Sequence, residues 1–211
     1  DGTYYSPRRV GAGQVDALAA TTSSVYPAVV GAANPSRPKA ELGEGTSGWT
    51  FQVQLTNVSD EARTYTLGGQ ALSENVIDLL FRANSTNWAG AGIDLTFSSD
   101  SVTVPAKSSA TVTVTVTPQA EFASYAAANA PKGTFIDGAV TFASADGAPD
   151  LTVPYMGFYG SWGDPSVFDA QGSDFHADRS SLINLATRAP LDEPRVGLDG
   201  ARYVVSRSPL P

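Results

Sequence analysis

The side chains that could do chemistry are few. His176 is the sole histidine, and an imidazole titrates near neutrality, so it could serve as a general base. It lies in the polar run Ser173 to Asp178, however, and reads as a surface loop residue. With one histidine and no cysteine, metal sites built from imidazoles or thiolates are excluded. Gly45-Thr46-Ser47-Gly48 imitates a serine-nucleophile motif, but that chemistry needs the serine at a helix N-terminus, backed by small residues and a proline. Here Trp49 and an alternating strand follow, and no histidine or aspartate partner precedes it in a usable order. The segment reads as a loop. Asp146, Asp150, Asp164, Asp169, Asp174 and Asp178 gather over residues 146–178. Oxygen ligands of this kind can hold calcium, but their spacing matches no calcium loop, and aspartate is a common turn former. Asn57-Val58-Ser59 and Asn84-Ser85-Thr86 match the glycosylation acceptor pattern, which matters only in a eukaryotic secretory chain.

The run from Asp150 to Asp169 carries a different potential. It opens as a strand through Leu151 and Val153 and meets Pro154. A packet of rings spaced by Gly157, Gly160 and Gly163 follows: Tyr155, Phe158, Tyr159, Trp162 and Phe168. Large rings bury much apolar area, and Tyr and Trp carry a polar tip as well. The packet could close a β-domain core, or it could present Tyr155, Tyr159 and Trp162 as an aromatic binding platform. Read with the rest of the chain, burial of these rings is the expectation.

Stepping outward, 211 residues with 42% apolar and 16% charged side chains suit a globular domain with appendages. The 13 Lys and Arg against 21 Asp and Glu leave a net charge of −8. That acidic balance argues against a phosphate-backbone partner, whose binding needs clustered cations. No run approaches the ~18 apolar residues of a membrane helix. The chain begins at Asp1 rather than Met and reads as an excised segment, with any targeting signal outside it.

The elements that would position these residues are mostly strands. Tyr4 to Arg9 reads as extended, because Pro7 disfavours helix at Ser6. Gly11 to Ala20 reads as a short helix with Val15, Leu18 and Ala19 at helical spacing, too short to stand alone and in need of an acceptor. Thr50 to Asn57 alternates, with Phe51, Val53 and Leu55 on one face. Asn57 to Glu61 turns, and Arg63 to Leu67 returns, which predicts a hairpin with Tyr65 and Leu67 inward. Residues 68–92 surround a strand or buried turn at Val76 to Phe81. Ser101 to Val104 and Ala110 to Thr117 predict a second strand pair, with Val112, Val114 and Val116 sharing a face and threonines on the wet side. Residues 119–128 offer a helical turn or two with Phe122, Tyr125 and Ala126 on one side. Thr134 to Phe142 and the run from Leu151 flank the turn signal Asp146-Gly147. Short alternating strands in this number predict a β-sandwich. No internal repeat is present.

Three pieces together resemble a known architecture. Ser6-Pro7 with Gly11-Ala12-Gly13-Gln14-Val15-Asp16-Ala17 resembles the end of a subtilisin-like catalytic domain. Asn57-Val58-Ser59-Asp60 followed by Tyr65 resembles the hairpin that opens the first fibronectin type III-like domain behind it. Gly133-Thr134-Phe135-Ile136-Asp137-Gly138, and Pro154-Tyr155-Met156-Gly157-Phe158-Tyr159-Gly160-Ser161-Trp162, resemble that domain's two signature motifs. The chain departs from them at Lys132, where the family has Asn, and at Asp137, where it has Glu. This is the arrangement of the cell-envelope subtilisin-like serine proteases of Gram-positive bacteria.

The resemblance implies an all-β, immunoglobulin-like sandwich with Greek-key topology over residues 23–170. A catalytic-domain remnant would occupy 1–22, and an irregular extension toward a further domain 171–211. It implies that the parent's catalytic residues lie outside this chain, so that the segment itself is no enzyme and holds no cofactor, with calcium in the Asp-rich region the one exception worth testing. It implies a monomer at a Gram-positive cell surface that packs intramolecularly on the protease domain, within reach of the parent's protein or peptide substrate. The alternative is an independent adhesin-like or carbohydrate-binding sandwich that uses exposed aromatics.

Overall fold

A computed structural model describes residues 3–11, 16–77, 80–163, 181–184 and 203–206. In chain order its elements begin with β1 (Tyr4–Tyr5), α1 (Pro7–Val10), α2 (Ala17–Thr22), β2 (Val25–Val29), β3 (Ala40–Gly45), β4 (Trp49–Asn57) and β5 (Arg63–Ile77). They continue with β6 (Leu80–Asn87), β7 (Ile93–Phe97), β8 (Ser101–Val104), β9 (Ser109–Pro118), α3 (Ala120–Asn129), β10 (Thr134–Ser144) and β11 (Leu151–Tyr159). Two further strands, β12 (Ser181–Asn184) and β13 (Tyr203–Ser206), pair antiparallel in a separate unit spanning residues 163–211.

Residues 1–162 form the sandwich unit. The smaller sheet has the order β2-β4-β9-β7, and the larger runs β1-β6-β5-β10-β11-β3, with β8 on β5. Strand β5 is 15 residues long. Its first part pairs with β8 (Arg63↔Val104) and its later part with β6 (Leu72↔Asn87), while β10 lies along its other edge. The alternation seen in the sequence sets the core. Val53 and Leu55 from β4, and Val112, Val114 and Val116 from β9, face Tyr65, Ile136, Val140, Phe142, Val153 and Tyr155 across the sandwich. Each such aliphatic side chain contributes roughly 1.5–3 kcal/mol when fully buried. The helix α3 closes one end with Phe122 and Ala126 buried. Phe122 meets Trp88 and Tyr159 edge-on at 5.3 and 5.2 Å.

Four expectations are corrected. The chain is not extended through Arg9: Ser6 caps a helical turn whose first residue is Pro7, a position where proline's missing N–H costs nothing. The helix read over Gly11 to Ala20 begins instead at Ala17, where Asp16 accepts the N–H of Ala19 at 2.9 Å, and it leaves Leu18 exposed; Val15 and Gly13 lie outside the described residues. Neither sequence-adjacent strand pair is a hairpin. Strand β4 pairs with β2 and β9, whereas β5 belongs to the opposite sheet. Likewise β8 pairs with β5 while its neighbour β9 pairs with β4 and β7.

Both connections cross the sandwich, and Asn57 shows why. Its side-chain amide donates to the carbonyls of Glu61 at 2.7 Å and Val104 at 3.1 Å, and its oxygen accepts from the backbone N–H and hydroxyl of Ser59. This buried asparagine ties both crossings into one corner. The expected turn at Asp146-Gly147 does join a true hairpin, β10–β11, with Phe142 opposite Leu151. The stretch at Val76 to Phe81 is the tip of a second hairpin, β5–β6, and not a buried turn; Asp78 and Leu79 lie outside the described residues.

Candidate functional site

The pleat of β10 sends Ile136, Val140 and Phe142 into the core and turns Phe135 and Asp137 to the opposite face. On that outer face Asp137 is nevertheless only 1% exposed. The N-terminal segment covers it. The hydroxyl of Ser6, itself buried, donates to Asp137 Oδ2. Arg8 Nε donates to the same oxygen at 2.7 Å, and another guanidinium nitrogen of Arg8 reaches Glu74 Oε2 at 2.9 Å. Arg9 Nε meets Glu74 Oε1 at 2.5 Å. The Arg8 guanidinium also lies over the Phe135 ring, 4.0 Å from its centroid, a geometry that favours the cation when partly desolvated. Arg8 thus bridges two carboxylates from neighbouring strands, β5 and β10, and Arg9 adds a second cation to Glu74.

Burial acts on both acids, with different outcomes. It pushes the Asp137 carboxyl up, and the Ser6 and Arg8 contacts offset only part of that. One oxygen, Oδ1, makes no hydrogen bond among the described residues. Burial also pushes Glu74 up, but hydrogen bonds from Arg9 and Arg8 outweigh it and leave that carboxyl below its ordinary value. Beneath the clamp, burial raises the Tyr155 phenol, with the Asp137 charge adding to it. Tyr155 donates to the Gln70 carbonyl at 2.7 Å.

The N-terminal motif and the two signature motifs of the domain meet here. Ser6 and Arg8 come from the first and Phe135 and Asp137 from the second, while Tyr155, Phe158 and Trp162 come from the third. Phe135 packs on Phe158 at 5.2 Å, and Phe158 stacks on Trp162 at 4.1 Å and 13°. A side chain at Gly133 would strike the Phe158 ring at 2.4 Å, and one at Gly138 would meet the Gln70 carbonyl at 1.9 Å. The motif glycines are therefore required by close approach. Gly157 lies against the Trp49 ring, Gly160 against Gly133, and Pro154 is half-buried on β11. Gly11 ends α1, with its N–H on the Pro7 carbonyl at 2.8 Å. Tyr65 and Asn57 belong to the core and its corner, away from the clamp.

Burial of the aromatic packet holds for Tyr155 and Phe158, while Tyr159 is half-buried. It fails at Trp162, which is 56% exposed and rests one face on Phe158. Trp162 follows the last paired residue of β11, so beyond Phe158 and Phe135, the latter at 5.5 Å, its ring has no second layer among the described residues to cover it. A platform of Tyr155, Tyr159 and Trp162 does not assemble either, because Tyr155 points inward against Phe51 at 5.8 Å. Phe168 and His176 lie outside the described residues, as do Asp164, Asp169, Asp174 and Asp178. Asp146 and Asp150 act as turn formers: they accept hydrogen bonds from Thr64, Ser144 and Ala148. Among the described residues no group of three or more candidate metal ligands occurs, and no helix is long and apolar enough to cross a membrane.

Glu74 was missed by sequence reading. It sits in a stretch rich in glycine and serine whose strand character is weak, and nothing local ties it to Arg8 and Arg9, far away in sequence.

A model of the Fn3-like domain matches residues 41–156, more than half of the chain. The chain belongs to the Fn3-like domain family. The lactococcal PI-type proteinase of Lactococcus lactis subsp. cremoris is 32% identical over 169 residues, covering 78% of this chain and 8% of that protein. The C5a peptidase of Streptococcus pyogenes serotype M1 is 27% identical over 190 residues, covering 84% and 15%. The chain thus spans less than a sixth of the length of either relative. Both alignments are longer than the Fn3-like match itself, so the likeness extends beyond residues 41–156.

Proposed function

We propose that this chain is the non-catalytic Fn3-like sandwich of a secreted, cell-surface subtilisin-like serine endopeptidase of a Gram-positive bacterium. In that protein it serves as a rigid collar behind the protease domain. The observation that carries the reading is the clamp. The segment Ser6 to Arg9, which resembles the end of a catalytic domain, is held by the sandwich's own Asp137, Glu74 and Phe135. Held at these points, the segment cannot act as a free linker. It fixes the direction from which the preceding domain enters and, through it, one wall of the substrate cleft. Relatives that are proteinases, and far longer than this chain, support the same placement.

The chain's own serines have no histidine within the described residues to activate them, so the collar itself hydrolyses nothing in this reading. The test uses the full-length protease and the 1–211 chain side by side. A fluorophosphonate probe is expected to label the full protein and leave 1–211 unlabelled. In the full protein, Arg8→Ala with Arg9→Ala is expected to lower turnover of a long protein substrate several-fold while sparing a short peptide substrate. Labelling of 1–211, or equal loss on both substrates, would sink the reading.

A further inference from the structure

The β5–β6 hairpin carries a feature that the clamp does not use. Beyond Glu74 its two strands pair only with each other and end in the cross-strand pairs Val76↔Phe81 and Ile77↔Leu80; Val76 stays buried, its N–H donating to the Tyr125 hydroxyl at 3.2 Å. Ile77 is 53% exposed, Leu80 61% and Phe81 49%. The pleat sets Phe81 on the face shared with Val76, and Ile77 with Leu80 on the other, so the tip is apolar on both sides. Among the described residues no other three exposed large apolar side chains fall within five positions, as these do. An exposed apolar cluster of this size is often a functional contact surface.

We infer that this tip is a docking peg for the protease domain of the same polypeptide. The argument for that occupant is geometric. Strand β1 pairs Tyr4 with Ser85 and Tyr5 with Asn84 on the outer edge of β6, and Arg9 then ties the next turn to Glu74. The chain therefore enters the sandwich along the hairpin itself. Between the paired Glu74↔Ser85 and Ile77↔Leu80, β5 advances three residues, so at about 3.3 Å per residue the tip lies on the order of 10 Å from Ser85. A domain of a few hundred residues has a radius of gyration on the order of 20 Å, so one attached at Tyr4 reaches the tip. Size argues against a second copy. The three side chains offer on the order of 300 Å² of apolar surface, well short of the roughly 800 Å² per partner of a stable interface. A domain already tethered through the clamp needs far less, because docking is then intramolecular.

The inference rests on the chain being the collar of a larger protease, and the experiment separates the two. A photo-cross-linking phenylalanine analogue is placed at Phe81 in the full-length protein, with Thr113 on the opposite sheet as the control site. The expected result is an intramolecular cross-link from 81 to a peptide of the protease domain. Its yield should be independent of protein concentration, at least tenfold above the control, and lost in Ile77→Ser with Leu80→Ser. Cross-links to a second copy or to added casein overturn the peg, as does a yield no higher than the control. Hydrogen exchange at residues 4–10 is read in the same samples. Protection there without the cross-link leaves the collar reading standing and removes the peg alone, whereas free exchange there removes both.

Discussion

The two outer faces of the sandwich are built on opposite principles. On the smaller sheet the outward residues of β4 and β9 are threonine, glutamine and serine. They pair across the strands at Thr50–Thr115 (3.2 Å), Gln52–Thr113 (3.3 Å) and Thr56–Ser109 (3.0 Å) in open solvent. On the larger sheet the outward residues include two carboxylates and two phenylalanines, and the N-terminal segment covers the carboxylates. A hydroxyl ladder in water contributes little and can change freely. A buried carboxylate cannot, because once its cation is gone its burial is uncompensated. The covered face is thus where the fold commits itself to a neighbour, and the bare face is where it does not.

The largest test of that contrast is Arg8→Ala. It leaves Asp137 buried beside an empty position and deprives Glu74 of one of its two cations. Breaking a buried pair from one side costs about 3–5 kcal/mol. Arg8 is itself a quarter exposed, which places the expected loss at about 2–4 kcal/mol, read as a lower urea midpoint of the chain. A loss under about 0.5 kcal/mol would mean that the clamp is decoration and that the two faces are alike.

Next come the two acids, whose pH dependences run in opposite senses. Glu74 has a folded-state pKa below its ordinary value. Its contribution is therefore present above the unfolded value, about 4.3, and is lost as pH falls through the folded one. Glu74→Gln should cost about 1–2 kcal/mol at neutral pH, as loss of hydrogen bonds to a charged group does, and the gap to the wild type should close in acid. Asp137 is raised. Its contribution is fully present below its unfolded value, about 3.9, and is lost as pH rises through the folded one. The stability gap between the wild type and Asp137→Asn should therefore widen as pH falls. Urea unfolding of both variants from pH 3 to pH 7 checks the pair, and parallel slopes would contradict the assignment.

The contrast also explains what could be read from sequence. The bare face was legible because period-two alternation is local: Val112, Val114 and Val116 inward dictate threonines outward. The sandwich, the β10–β11 turn and the burial of Tyr65 followed from the same signal. Strand partners did not, because alternation fixes faces and is silent on which sheet a strand joins. The ladder partners, and the long-range bonds of Asn57 at the corner, reveal that β4 and β5 part company. The clamp was legible in pieces. Its motifs were visible, but Arg8, Glu74 and Asp137 lie in three separate segments, and no local pattern says that they touch. Trp162 misled for a related reason: composition marks a ring as apolar, and only its place beyond the end of β11 decides how much of it is covered.

The smallest expected effect falls on the bare face. Thr115→Ala removes a hydroxyl that meets only Thr50 Oγ1 at 3.2 Å in an exposed position. Water replaces that bond at little cost, and the substitution lowers local β-propensity on a scale that spans only about 1 kcal/mol. A destabilisation under about 0.5 kcal/mol, independent of pH and salt, is the expectation, measured by urea unfolding alongside Arg8→Ala. The insensitivity to pH matters as much as the size, since no titratable group faces this hydroxyl in the ladder. If Thr115→Ala instead cost as much as Arg8→Ala, the smaller sheet would also have a covering partner, and the division between a committed and an uncommitted face would have to be redrawn.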